Sequence, residues 1–399
     1  MKINKQALIS FYAFLCSPLL AIPFIGYQLR KGADHGVCAI VAALYGILSY
    51  RYVAHIDNDK ARYVERYQLF KSYSPRDLLE YFVNTKRPDF LFDSLNFLFA
   101  KIDIDVRVFF FFVTFFSVYS YLVFVKSLAS RVGGRDFTYS SLVLVGLVLS
   151  ISLPNLLSGI RFMFAGSLFV WFVYYFCFDR RVVRSGVFLG LAVFTHFSYI
   201  FLVGPVLLAT SVGSVLFAKV ALATSFVFLL VPKSVVGELL QFFSFSGGQT
   251  NKVEIYTSSE YAVSESFYLL QVLRNLWLYT LCGCLLFFRS ERRDYLFFLI
   301  VFMVSFVNVV YSIPVAYDRY AVFLKIMFFA VLVSWRFRSR LSGFGGFFVY
   351  YFFVFLFFLG FFADLFVLRY NIDASYSLLG LVTLFHAFFS AAPSDYFLY

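Results

Sequence analysis

The sequence predicts an all-α polytopic membrane protein of about 11 transmembrane helices plus a re-entrant helical hairpin, and three observations predict it. Hydrophobic residues make up 61% of the 399 positions and charged residues only 14%, against roughly 25% charged in an ordinary soluble domain. The apolar residues fall in runs such as Val106 to Val125, Phe162 to Phe178 and Tyr295 to Ile313. These reach about 17 to 20 residues, enough to cross a hydrocarbon slab of about 30 Å. Phe alone accounts for 59 residues, which suits lipid-facing helices and would drive aggregation in water.

Spans are expected at about 8–29, 37–54, 106–125, 137–153, 162–178, 213–231, 267–288, 295–313, 319–335, 346–363 and 376–392, from hydrophobic run length. Five connections carry basic clusters: Arg30 and Lys31; Lys126, Arg131 and Arg135; Arg180, Arg181 and Arg184; Arg289, Arg292 and Arg293; Arg336, Arg338 and Arg340. The connections between them hold only Arg161, Lys233, Lys252, Arg319 and Arg369. The asymmetry assigns the clusters to the cytoplasm and the N-terminus to the outside. It also accounts for the net charge of +12 without a nucleic-acid partner. With Arg184 and Arg289 both cytoplasmic, an even number of crossings must separate them. That parity is restored if 186–210 dips in and returns as two short helices, with Thr195-His196-Phe197-Ser198 at its tip.

The whole of 1–399 reads as a single integral membrane domain with two longer outer segments, an amphipathic loop at about 54–105 and a second loop at about 232–266. In the first, Ser74-Pro75-Arg76-Asp77 has the composition of a helix start. Further on, Leu91, Phe92, Leu95, Leu98 and Phe99 recur at helical spacing beside Asp89, Asp93, Asn96 and Lys101, as in a helix lying on a membrane surface. Cys16, Cys38, Cys177, Cys282 and Cys284 all lie in apolar segments. Being odd in number and absent from the long loops, they read as inert thiols rather than a disulfide framework.

This topology brings several polar groups to one face. Arg161 opens a span after Pro154-Asn155, His196 lies at the hairpin tip, and Asp318 and Arg319 stand at another span's entrance. Arg274 lies roughly 10 Å inside its span, where an arginine costs roughly 2.5–3.5 kcal/mol on insertion scales. Arg51, Asp57, Asp59 and Arg62 follow the second span. Taken singly, Arg161 and Arg319 are consistent with snorkelling from helix ends, His196 with a helix breaker and Asp57/Asp59 with a solvated loop. Taken together, the arginines suit an anionic ligand, because guanidinium binds phosphate bidentately and keeps its charge. No Gly-rich phosphate loop or His-Glu-x-x-His motif is present. The anion is then the phosphate or pyrophosphate of a membrane lipid, or the substrate of an anion transporter.

The order Arg51-Tyr52, Asp57-x-Asp59, Arg62-Tyr63, Asp89-Phe90-Leu91-Phe92, Ser158-Gly159-Ile160-Arg161-Phe162, Thr195-His196-Phe197-Ser198 and Tyr317-Asp318-Arg319-Tyr320 resembles the EpsG/Wzy family of polysaccharide polymerases over about residues 50–335. It departs from the family at Phe162, where Gln is expected after the Ile-Arg element. The resemblance implies a GT-C-like glycosyltransferase of the bacterial cytoplasmic (inner) membrane. Such an O-antigen or surface-polysaccharide polymerase moves a glycan from an undecaprenyl-pyrophosphate carrier to a lipid-linked repeat unit at the periplasmic face, inverting or retaining. It needs no cofactor or metal, and its partners are the lipid-linked oligosaccharide, membrane lipid and a chain-length-regulating co-polymerase. Arg161, Arg274, Arg319 and Arg51 would hold the pyrophosphate. His196, Asp57, Asp59 or Asp318 would take the acceptor proton, His196 being favoured because neutral imidazole is available near pH 7. Asp57-Asn58-Asp59 also has the form of a metal-binding Asp-x-Asp. An O-antigen ligase shares the donor but usually carries a larger late outer loop. A flippase or transporter of the lipid-linked unit would need charges through the whole membrane and repeated halves.

Overall fold

The computed structural model describes residues 16–30, 34–56, 58–85, 88–133, 137–232, 265–287, 294–337 and 344–368, with the short pieces 9, 12–13, 234–236, 238 and 397–398. Helices dominate it, and the protein is a multi-pass membrane protein by the length and apolarity of those helices. The first two are α1 (Pro18–Arg30) and α2 (Asp34–Arg51). Three polar helices follow outside the apolar runs: α3 (Asp59–Ser72), α4 (Pro75–Thr85) and α5 (Leu91–Lys101). Next come α6 (Val106–Gly133), α7 (Ser141–Ser150), α8 (Leu153–Leu157) and α9 (Ile160–Val173), the last running on as a π-turn at Tyr174–Phe178. The second half holds α10 (Val182–Thr195), α11 (Val203–Ser211), α12 (Val215–Ser225), α13 (Glu265–Phe287), α14 (Tyr295–Val309), α15 (Pro314–Phe337) and α16 (Phe344–Leu368). Ala54–His55 pairs in parallel with Phe397–Leu398 over two residues.

Four helical stretches are long and apolar enough to cross a membrane alone: Val106–Gly133, Ile160–Phe178, Leu270–Phe287 and Phe348–Leu368. Each coincides with an expected span. The expected span at 376–392, the loop at 239–264 and the basic residues Lys31, Arg135, Arg289, Arg292, Arg293, Arg338 and Arg340 lie outside the described residues. The expected span at 137–153 is shorter than the sequence suggested. Helix α7 ends at Ser150, Ile151 and Ser152 are extended, and Pro154 opens the separate short helix α8. Proline supplies no N–H and favours an extended residue before or at a helix start, so the apolar run is split about one turn from its end. The region 186–210 breaks at His196, whose backbone is extended (φ −151°, ψ 106°). A 3₁₀ segment, Phe197–Leu202, then leads into α11.

Helix α6 is the spine. It packs along α2, α9 and α15, and at 28 residues it is roughly 42 Å long at 1.5 Å per residue. Its inner part belongs to the main core with α9, α14 and α15. Its first two turns serve a second core, in which Val106, Phe109, Phe110 and Val113 pack with Tyr67 and Phe70 of α3 and Phe92 and Phe97 of α5. Helix α5 turns Phe92, Asn96, Phe97 and Ala100 into this core, with Asn96 Nδ2 donating to the Tyr63 carbonyl at 3.1 Å. Of the apolar residues expected to face a membrane surface, Phe92 is buried and Leu98 is 56% exposed.

Lys60 joins the outer helices to the bundle. Its buried Nζ donates to the carbonyls of Ser49 (2.6 Å) and Tyr52 (3.1 Å), satisfying the end of α2. Burial, helped by the Arg107 charge, lowers its amine from 10.5 to about 7. Between those values the unfolded chain holds a proton that the folded chain does not, so this residue makes stability rise with pH. The melting temperature in detergent is expected to climb from pH 7 to pH 9 more steeply in wild type than in Lys60→Met. Equal slopes would remove Lys60 as the source.

Candidate functional site

Among the described residues two clusters of charge stand out, one where the polar helices α3–α5 meet the bundle and one between α13, α15 and α16. The first begins at Arg161. Ser158 ends α8 and Gly159 caps α9, which leaves Arg161 in the first turn of α9, at the helix end where the macrodipole disfavours a cation. Asp89, from the turn before α5, compensates: its Oδ2 lies 2.8 Å from Arg161 Nη1, and both side chains are more than nine-tenths buried. Arg161 Nε is buried with no hydrogen-bond partner among the described residues. The guanidinium carbon stands 5.7 Å from the Tyr63 ring centroid.

Arg66 holds Asp93 through both carboxylate oxygens, at 3.0 and 3.1 Å. Asp59 sits between Arg62 (2.6 Å) and Arg319 (2.5 Å), linking α3 to the start of α15. Tyr63 lies among these charges. Burial raises its phenol to about 12, against the opposing pull of Arg161, Arg66 and Arg319, so it remains a neutral donor. Among the described residues four guanidinium groups here face three carboxylates.

The second cluster lies around Arg274 in α13. Its Nη1 is 3.0 Å from Asp318 and its Nε 2.6 Å from Asp364 in α16, and its Nη2 donates to Ser152 Oγ at 3.2 Å. Asn155 Nδ2 donates to the other Asp318 oxygen at 2.9 Å. The break between α7 and α8 places both Ser152 and Asn155 here. A small cavity is lined by Ser152, Arg274, Asp318 and Asp364 together with Lys325 and Gly360. Asp318 and Arg319, neighbours in sequence, thus point to different clusters, as successive helical positions do.

The His196 break lies against the residues that follow two of the arginines. Phe162, next to Arg161, meets the His196 ring edge-on at 5.4 Å and stacks on Tyr199 at 4.9 Å. Tyr320, next to Arg319, donates its hydroxyl to the Ser198 carbonyl at 2.8 Å. Tyr199 donates to the Phe162 carbonyl at 3.1 Å. Phe162, the position where the family resemblance led us to expect Gln, is therefore a packing surface for the hairpin tip. His196 Nδ1 shares a hydrogen bond of 2.7 Å with Ser198 Oγ, which fixes the ring's rotation.

Of the residues singled out in sequence, Arg161, Arg319 and Asp59 join the first cluster, and Arg274 and Asp318 the second. His196 is tied to the first through Phe162 and Tyr320. Arg51 ends α2 buried, its guanidinium 5.9 Å from the Tyr50 ring that Arg107 also approaches at 5.4 Å. Asp57 lies outside the described residues. Among the described residues no three His, Cys, Asp or Glu side chains gather as a metal site.

Sequence reasoning missed Asp89, Asp93 and Arg66 as partners, having placed the two aspartates on a solvent-facing helix side. It also missed Asp364 and Lys325, although a charge within an apolar run is a signal that could have flagged both. The Arg66–Asp93 pair should matter more to folding than the exposed Lys71–Asp103 pair. Asp93→Ala is expected to cost roughly 3–5 kcal/mol by stranding a largely buried cation, while Asp103→Asn, which removes an exposed charge and keeps a residue type that tolerates the left-handed backbone there (φ 52°), should leave the melting temperature nearly unchanged. Similar losses in both variants would contradict this ranking.

In comparison with known proteins, the model of the EpsG family matches residues 37–372. No curated protein and no solved structure matches the chain.

Proposed function

The chain belongs to the EpsG family, and from that membership and the site geometry we propose that it is a surface-polysaccharide polymerase. In this reading it transfers a glycan from an undecaprenyl-pyrophosphate carrier to a lipid-linked repeat unit at the periplasmic face of the bacterial inner membrane. At the coarser level, membership supports a polysaccharide-polymerase or glycosyltransferase-like activity. The observation that carries the finer reading is the pairing of Arg161-Phe162 and Arg319-Tyr320. In each pair the arginine faces the outer-loop carboxylates and the aromatic residue holds the His196 hairpin.

The chemistry follows from that placement. The sugar C1–O bond to the pyrophosphate breaks, the acceptor hydroxyl oxygen bonds to C1, and its proton passes to a base. Pyrophosphate departs readily if its charge is met by fixed cations. The first cluster supplies them, since its guanidinium groups outnumber its carboxylates and Arg161 Nε still lacks a hydrogen-bond partner. The oxygens of Asp59 are engaged by Arg62 and Arg319, and those of Asp318 by Arg274 and Asn155. That leaves His196, oriented by Ser198, as the preferred base among the described candidates. Tyr63 offers a neutral donor beside the arginines. The second cluster is charge-balanced, which makes Arg274 a weaker choice than Arg161 and Arg319 for direct contact with pyrophosphate.

The test is the banding of surface polysaccharide from a deletion strain carrying each variant, with membrane levels checked. Arg161→Ala, Arg319→Ala and His196→Ala are each expected to lower polymerisation by roughly 10²–10³-fold, leaving a single repeat unit on the core and no ladder. Ladders retained in all three would sink the proposed site. Loss of the single-unit band as well would favour a ligase or a flippase.

A further inference from the structure

The Arg274 cluster contains more charge than a structural contact needs. Arg274, Asp318, Lys325 and Asp364 come from three apolar helices, α13, α15 and α16. Each charge placed in such a helix costs roughly 2.5–3.5 kcal/mol on insertion scales, and well-packed apolar residues would usually stabilise the junction as well. Buried ionic groups of this kind act best on register, because only one arrangement satisfies every partner.

The cluster is a circuit in which Lys325 takes part through a backbone carbonyl and the field of Asp364 rather than through an ion pair. Asp318 and Lys325 are two turns apart on one side of α15, roughly 10 Å along the helix backbone, and their side chains line the same cavity. Lys325 Nζ donates to the Leu149 carbonyl at 3.1 Å, a cation at the C-terminal end of α7 where the macrodipole favours it. The α7–α8 break that follows presents Ser152 to Arg274 and Asn155 to Asp318. On α16, Gly360 and Asp364 are one turn apart and share a side. A Cβ at Gly360 would stand 3.2 Å from the Arg274 carbonyl and 3.3 Å from Lys325 Nζ, so the glycine lets α16 close on both cations. Asp364 is 97% buried at its side chain and contacts Arg274 Nε, and the charges acting on Lys325 are Asp364 and Arg274.

We propose that Asp364 and Lys325 are positioning residues of the transferase site: Asp364 holds Arg274, Lys325 ties α15 to the end of α7, and together they fix the first turn of α15, so that Arg319 stays aimed at the outer-loop carboxylates and the donor's pyrophosphate. This rests on the function proposed above. The effect is transmitted along one short path. Arg274 fixes Asp318, and Asp318 fixes the rotation of the turn that carries Arg319 and Tyr320, the second of which holds the His196 hairpin.

The experiment uses full-length purified protein in lipid vesicles with a lipid-linked repeat unit as donor and acceptor. Wild type is compared with Asp364→Asn, Lys325→Met, the double variant and Asp364→Glu, reading melting temperature and the rate per folded protein. Each single neutralisation is expected to lower the melting temperature, and the double variant to recover most of that loss because its charge is balanced again. Both singles and the double should lose roughly ten- to a hundredfold in kcat with donor KM changed less than twofold, and Asp364→Glu should recover most of the rate. An unchanged kcat in the double variant would make the circuit purely structural and overturn the proposal. A raised KM at constant kcat would also overturn it, showing that this cluster holds the donor directly. If the singles do not fold, the double and Asp364→Glu still decide the question. Absence of transfer by wild type would sink the functional reading itself, and the positioning role with it.

Discussion

A guanidinium group inside an apolar helix bundle must have an anion beside it, and the architecture of this protein follows from meeting that demand. Arg161, Arg319 and Arg274 each have a carboxylate within contact distance: Arg161 has Asp89, Arg319 has Asp59, and Arg274 has both Asp318 and Asp364. Unpaired, such a group would cost several kcal/mol in a low-dielectric surrounding. The partners of Arg161 and Arg319 come from the polar helices outside the membrane runs. Those of Arg274 come from neighbouring apolar helices. The same requirement therefore docks the outer loop in one place and locks helices together in another.

Between these two anchors the irregular backbone is concentrated. The α7–α8 break, the Gly159 cap before α9 and the extended His196 residue all occur where the chain turns polar groups toward the charges. Breaks within apolar segments free backbone groups that must be satisfied by protein. Here His196 N–H donates to the Ala192 carbonyl at 2.8 Å, and the Ser198 carbonyl accepts from Tyr320. The aromatic residues thus do two jobs, packing the hairpin tip and closing its hydrogen bonds.

Much of this was readable from the chain and some was not. Apolar runs announced the long helices α6, α9, α13 and α16, because hydrocarbon thickness sets a minimum length that sequence displays directly. His196 announced its own break, since a polar Thr-His-Phe-Ser tetrad interrupts an apolar stretch. Pro154 carried the signal for splitting 137–153, but the surrounding hydropathy masked it. Helix α5 was legible as amphipathic, yet periodicity states which residues share a face and not what covers that face. Only the tertiary packing of Phe92 and Phe97 against α3 and α6 shows that protein covers part of the helix, while Leu98 stays exposed. The arginines stood out as isolated charges, whereas their partners did not. An aspartate in a polar loop has no sequence mark distinguishing it from a solvated one, and Asp364 lies about 90 residues from Arg274 along the chain.

The polar helices α3–α5 share a separate hydrophobic core with the first two turns of α6 and join the bundle elsewhere through Asp59, Lys60 and Asp89. That division has an evolutionary corollary. A segment with a separate core and few charged anchors can drift in length and surface while the membrane helices stay fixed. Sockets that accept any carboxylate presented at the right height would let related chains exchange this segment as a cassette, changing what the outer face displays without redesigning the bundle beneath it.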